Sequence, residues 1–349
     1  MTEFWEGRRV FLTGHTGFKG GWLSLWLARQ GAQVHGFSLP PTTDPSFFEV
    51  CRVEERITSS VIGDVRDIDA LNTALIASEP EVVFHLAAQP LVRESYARPV
   101  GTYATNVMGL VNLFECVRGI DGVRALVNVT SDKCYENRER MDPYVEGDRL
   151  GGRDPYSNSK ACSELVTSAY RDSFLRDHGV AVATARAGNV IGGGDWAADR
   201  LIPDLLRAHQ SGEVLHVRSP HAIRPWQHVL EPLSGYLKLA ESLCRDDEAP
   251  TAVNFGPSEQ DSQPVSWIVE RMCELLPGAS WRADEGTHPH EAGLLRLDSC
   301  LARERLGWSP RWDLGVALQQ TVAWELSRRN GDSMVDMSMS QIAGFEETR

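Results

Sequence analysis

The chain contains no uncharged apolar run of the ~20 residues that a membrane helix requires. Its first residues, Met1-Thr2-Glu3-Phe4-Trp5-Glu6, lack the basic-then-apolar pattern of a secretory leader, and a cytoplasmic location is expected. The seven cysteines (Cys51, Cys116, Cys134, Cys162, Cys244, Cys273 and Cys300) form no CxxC pair, and none stands at zinc-ligand spacing from a histidine. An odd number without a leader argues for reduced thiols, most of them small apolar core residues, and against a disulfide framework. No bound metal is expected. Positive charge is in deficit: the formal net charge is −13. Nucleic acid and anionic membrane surfaces are therefore poor partners, and an anionic small ligand would need a local basic pocket. There is no internal repeat and no low-complexity tract.

What is present is an alternation. Apolar runs of strand length lie at 8–13, 33–39, 60–63, 82–87, 125–129 and 180–185, with helical patterns at 18–29, 68–78, 99–118 and 157–176 between them. Continuous apolar strands separated by helices predict an α/β fold, a doubly wound parallel sheet of the Rossmann type covered on both faces. After Gly192-Gly193-Gly194 the segments shorten and become richer in proline, tryptophan and histidine. The expected organisation is a dinucleotide-binding domain over 1–192, to which some later segments return. A smaller mixed α/β ligand-binding region over 193–335 and a loosely held polar tail over 336–349 complete it.

Gly14-His15-Thr16-Gly17-Phe18-Lys19-Gly20 follows the first strand and opens the first helix. Glycines there permit a tight turn and close approach of backbone N–H groups to a pyrophosphate, which the helix N-terminus also attracts. His15 and Lys19 are expected to face the phosphates. The acidic residue that usually ends the second strand is missing, for that strand finishes His35-Gly36-Phe37-Ser38-Leu39, and no arginine follows. NAD is favoured over NADP. Asp64 and Val65, after the third strand, are expected at the adenine end. Leu86-Ala87-Ala88-Gln89 after the fourth strand, with Asn106 and Val129, are expected along the rest of the dinucleotide.

Tyr156 and Lys160 stand one helical turn apart on one face. An ammonium beside a phenol favours the phenolate, which makes Tyr156 a candidate base for taking a proton from a hydroxyl while hydride leaves the same carbon. Thr130-Ser131-Asp132-Lys133 ends the fifth strand, where ligands sit in sheets of this kind.

These residues together resemble the extended short-chain dehydrogenase/reductases. Besides the glycine turn and the Tyr156/Lys160 pair, the likeness rests on HLAAQPLVR (85–93), TNVMG (105–109), TSDKCY (130–135), AGNVIGGGDW (187–196) and HAIRPWQHV (221–229), so that it covers nearly the whole chain. Within the family the likeness is to the branch that removes water from CDP-glucose to give CDP-4-dehydro-6-deoxyglucose. That resemblance implies one tightly held NAD, reduced and reoxidised in each turnover. It implies Ser131 on the sugar 4-oxygen, Asp132 as proton donor to the departing 6-hydroxyl, and Lys133, where related enzymes carry glutamate, as either the C5 base or a cation stabilising the enolate. It further implies that Arg224 and Asn189 meet the diphosphate, with Arg93, Arg200, Arg218 and His288 as lesser substrate ligands. The helices at 99–118 and 157–176 resemble the pair that forms a four-helix interface in this superfamily, implying a homodimer or homotetramer. A 4-epimerase or decarboxylase of the same fold would have no use for Asp132 and Lys133. A dinucleotide-sensing protein would have no use for the reacting set as a whole.

Overall fold

The computed structural model describes residues 4–245, 248–286 and 293–348. Seven strands form one sheet: β1 (Arg9–Thr13), β2 (Gln33–Ser38), β3 (Ser59–Ile62), β4 (Val82–His85), β5 (Ala125–Val129), β6 (Ala181–Ala187) and, beyond three short strands, β10 (Ala252–Phe255). Their order is β10-β6-β5-β4-β1-β2-β3, and every neighbouring pair is parallel. Burial on both faces explains the unbroken apolar runs: every residue of β4 and β5 is buried. Two apolar layers flank the sheet. One gathers Trp22, Trp26, Phe84, Trp308 and Phe345, and the other Phe11, Phe37, Leu71, Leu113 and Phe114.

The short strands β7 (Asn189–Ile191), β8 (Leu215–Val217), β9 (Ile223–His228), β11 (Ser262–Pro264) and β12 (Trp281–Ala283) make two small sheets, β11-β9-β7 and β12-β8. They carry their own apolar cluster, with Ile202, Leu205, Trp226, Ile268 and Leu318. Chain order reverses where β1 lies between β4 and β2, so the crevice at their carboxyl ends opens toward these small sheets.

Two expectations change. The helical stretches at 99–118 and 157–176 are not continuous α-helix: π-helical turns Ala104–Met108 and Arg171–Leu175 interrupt the pattern. The polar tail is not loose. Met334–Glu347 is a helix capped by Ser333, with Ile342 and Phe345 fully buried, and Glu346 accepts hydrogen bonds from Trp26 and Arg29 at 2.8 and 3.2 Å. Its polar composition hides one apolar stripe that packs on the first helix. Phe345→Ala should therefore cost about 3–5 kcal/mol of stability, read as a lowered denaturant midpoint; a change below ~1 kcal/mol would restore the loose-tail reading.

Candidate functional site

A cavity of about 560 Å³ lies outside the carboxyl ends of β1, β4 and β5 and beneath the small sheets. Its floor begins with the glycine turn. Gly14 has φ +83°, and a Cβ there would stand 2.7 Å from the Ala87 amide nitrogen; a Cβ on Gly20 would stand 2.0 Å from the Gly14 carbonyl oxygen. Close packing of turn, helix and the end of β4 therefore requires both glycines. Gly17 caps the Phe18–Arg29 helix with no side-chain hydrogen bond, and its first turn holds no acidic residue. The amides at that end remain available to an anion, which fits a dinucleotide pyrophosphate. Thr16 ties the turn to the end of β2 by donating to the Leu39 carbonyl at 2.8 Å.

Gly14, Thr16, Gly17, Phe18, Lys19, Gly20, Asp64, Val65, Leu86, Ala87, Ala88 and Val129 all line the cavity. Asp64 is bonded to the Arg66 guanidinium, which holds its carboxyl below the usual range. Three expected cofactor residues do not line it. His15 is fully buried beneath the turn, its Nε2 2.8 Å from the Ser60 hydroxyl and its ring against Gly36 and Phe48. Burial pushes it down to about 4, so it carries no charge toward a phosphate. The Gln89 side chain turns to Thr102 and to its own loop. Asn106 braces that loop, accepting from the Gln89 amide at 2.8 Å and donating to Ser159 at 2.9 Å. Spacing placed these three near the cofactor; packing made them supports. Lys19 lines the cavity, but its ammonium reaches the Tyr236 hydroxyl at 3.4 Å. It feels Arg200, Lys160, Asp132 and Lys133, and burial is the main cause of its fall to about 7.

The chemical end is assembled from two elements. β5 stops at Val129, and Ser131 caps a short turn, Asp132–Cys134, by accepting from the Lys133 amide at 3.2 Å. The Pro155–Tyr170 helix starts with proline at its first position and is capped by Asp154, which accepts from the Ser157 amide at 2.9 Å. Tyr156 and Lys160 therefore face β5 one turn apart. Lys160 Nζ donates to the Val129 carbonyl at 3.1 Å. Burial pushes Tyr156 up to about 12, opposed chiefly by a hydrogen bond with Ser131. Burial likewise lowers Lys160 to about 8, opposed by the Glu164 charge. Asp132 is 1 % exposed; Oδ1 accepts from Ser131 at 3.0 Å and lies 3.7 Å from Lys133 Nζ, while Oδ2 has no partner among the described residues.

Cations also line the cavity. Arg224 on β9 is buried, and Asn189 on β7 lines the cavity with its amide oxygen unpartnered among the described residues. Arg200 pairs with Asp195 at 2.7 Å and its charge acts on Tyr156. Arg93 and Arg218 meet over Asp199, at 2.8 and 3.2 Å. His288 lies outside the described residues. Sequence reasoning passed over Asp195, Asp199, Glu164 and Arg186. For Glu164 a signal existed: a carboxylate one turn beyond Lys160 on the face that must be buried.

The chain matches the NAD dependent epimerase/dehydratase family over residues 10–256. It is 50% identical, over 98% of its length and 97% of the relative's, to CDP-glucose 4,6-dehydratase of Salmonella typhimurium. It is 24% identical to dTDP-glucose 4,6-dehydratase of Xanthomonas campestris over 91% and 93% of the two chains. Among solved structures, dTDP-glucose 4,6-dehydratase from Bacillus anthracis in complex with NAD superposes with a TM-score of 0.77 at 20% identity, over 94% of this chain and 100% of that one. UDP-glucose 4-epimerase from Thermotoga maritima gives a TM-score of 0.79 at 20% identity, over 93% and 99%. On the family match and the near full-length relative, this chain belongs to the NAD dependent epimerase/dehydratase family.

Proposed function

We propose that this protein removes water from CDP-glucose to give CDP-4-dehydro-6-deoxyglucose. The observation that carries this reading is the buried Asp132 carboxylate, with one oxygen unpartnered among the described residues and Lys133 3.7 Å from the other, in the cavity wall that also presents Tyr156. An epimerase needs no such acid–base couple. The near full-length likeness to a CDP-glucose enzyme supports the nucleotide.

NAD, when bound, supplies what no side chain here can, a cationic ring that takes hydride from a sugar carbon and returns it within the same turnover. Gly14, Thr16, Gly17, Phe18 and Lys160 would hold it. Ser131 orients the sugar 4-oxygen and Tyr156 takes its proton. The 4-ketone then acidifies the hydrogen on C5. Asp132 and Lys133 form a couple one proton transfer away from a neutral acid and a neutral amine. In that form Lys133 removes the C5 proton and Asp132 protonates the departing 6-hydroxyl, so elimination restores the ion pair and releases water. Lys133 afterwards returns its proton to C5, and the proton held by Tyr156 passes through solvent to Lys133, which restores the phenolate and the ion pair for the next cycle. Arg224 and Arg200, with Arg93 and Arg218, offer the positive charge that a diphosphate needs in a chain of net charge −13, and the Asn189 amide nitrogen offers a hydrogen bond.

Side-by-side incubation with CDP-, dTDP-, UDP- and GDP-glucose should give the alkali-induced absorbance of a 4-keto sugar with CDP-glucose first. Appearance of CDP-galactose alone would defeat the dehydratase reading. A homodimer completes the proposal. Val100, Met108 and Leu165, 82 %, 53 % and 59 % exposed, project from the two long helical segments. Leu165→Glu should shift the protein toward the monomer in sedimentation; an unchanged sedimentation coefficient would remove these helices as the interface.

A further inference from the structure

Glu164 follows Lys160 by one turn of the same helix and is 4 % exposed. Its carboxylate is fully engaged. Thr130 Oγ1 and Arg186 Nε (2.9 Å) donate to one oxygen; Thr184 Oγ1 (2.7 Å) and Arg186 Nη2 (2.7 Å) donate to the other. The guanidinium extends the chain of contacts. Its Nη1 donates to the Tyr135 hydroxyl at 2.8 Å and to the Glu146 carbonyl at 3.0 Å, and it stacks on the Tyr135 ring at 5.0 Å. Tyr135 in turn donates to Asn254 on β10 at 2.7 Å.

The place of these contacts in the chain matters more than their number. Thr130 immediately precedes Ser131, and Tyr135 immediately follows the Asp132–Cys134 turn. One ion pair therefore holds both ends of the segment that carries Ser131, Asp132 and Lys133. Burying two charges costs several kcal/mol per ion before their attraction is counted, and apolar residues of equal volume often stabilise a fold as well or better. Stability is a poor account of the pair, whereas directional hydrogen bonds to a reacting loop are something apolar residues cannot provide.

We propose that Glu164 is a positioning residue of this active site, fixing the 131–134 segment at its entrance through Thr130 and at its exit through Arg186 and Tyr135. The inference rests on the dehydratase reading above. A second consequence concerns Lys160. Its ammonium is faced by Tyr156 and Glu164 from its own helix, Cys134 from the turn, His85 from β4 and Lys19 from the first helix. His85 is held neutral by burial, and the Glu164 carboxylate is the main charge opposing the effect of burial on Lys160.

The test uses the NAD-loaded, full-length enzyme with CDP-glucose. Glu164→Gln is expected to lower kcat about 100-fold, the scale of a misplaced reacting group, with KM within about threefold. The chain has only four lysines, Lys19, Lys133, Lys160 and Lys238, so lysine-selective isotope labelling can follow Lys160 by NMR. Its titration should move to lower pH by about one unit or more in the variant, as loss of the neighbouring negative charge requires. A folded Glu164→Gln enzyme with kcat within about threefold of the parent and an unmoved Lys160 titration overturns the proposal. Should that variant fail to fold, Thr130→Val and Thr184→Val decide, since each removes one hydrogen bond to the same carboxylate. Equal stability losses with a kcat at least about tenfold lower for Thr130→Val support positioning; equal kcat values sink it. If the parent enzyme itself makes no 4-keto product from CDP-glucose, the substrate reading fails instead, and the variants are compared on the sugar nucleotide that the parent does turn over.

Discussion

Lys133→Ala is expected to lower formation of the 4-keto-6-deoxy product about 10³-fold while leaving a burst of NADH intact when CDP-glucose meets the NAD-loaded enzyme. The reason is a division of labour in space. Oxidation at C4 needs a base on the 4-hydroxyl, and Tyr156 with Ser131 supplies it without Lys133. Elimination needs a proton taken from C5 and another given to O6, and the proposed Asp132–Lys133 couple would exchange both without a change in net charge. Alanine leaves Asp132 with no partner to draw a proton from. The burst should approach one NADH per site and then persist, because the ketone cannot proceed. A variant that forms no NADH at all would put Lys133 in binding or oxidation, and one that dehydrates within about tenfold of the parent would remove it from the mechanism.

Tyr156→Phe should act one step earlier. The hydroxyl is the group placed to take the 4-hydroxyl proton, so its loss is expected to lower kcat about 10³- to 10⁴-fold with no NADH burst. Substrate affinity, measured by calorimetry on the NAD-loaded variant, should change little, since diphosphate recognition is proposed for other lining residues, Arg224, Asn189 and Arg200. The high position of the Tyr156 hydroxyl, pushed up to about 12 by burial, adds a dependence on pH. Activity requires the phenolate, so within the range where the protein stays folded the rate of NADH formation should climb as pH rises. A flat profile in single-turnover measurements would exclude proton removal by Tyr156 from the rate-limiting step.

Much of this was legible from residue order because the relevant physics is local. Apolar runs of strand length with helical spacing between them can bury both faces only in a parallel sheet, and the runs at 82–87 and 125–129 became β4 and β5. The glycine turn was readable since its chemistry lies within seven residues. So was the Tyr156/Lys160 helix, with Asp154 and Pro155 at its start.

Other features depended on what lies across the fold. His15 sits inside the glycine motif yet packs inward, because Gly36 and Ser60 from two neighbouring strands leave it a buried slot. Asn106 belongs to a motif but serves the loop after β4, a contact between residues 17 apart. Lys160 was expected to act on Tyr156 by helical spacing alone. Its bond to the Val129 carbonyl is an addition that no helical rule contains, because it depends on the strand. The polar tail became a packed helix because Trp26 and Phe345, more than 300 residues apart, share one edge-to-face contact.

Residue order by itself determined the sheet, the glycine turn and the candidates for the reacting groups, since each follows from periodicity or from chemistry between near neighbours. Only the tertiary structure decided which of those groups meet. It set Lys133 beside the buried Asp132, turned His15, Gln89 and Asn106 into supports, and bound Glu164 of the Pro155–Tyr170 helix to Arg186 on β6. Burial sets the charge and orientation of a polar side chain, and burial is a property of the packed whole.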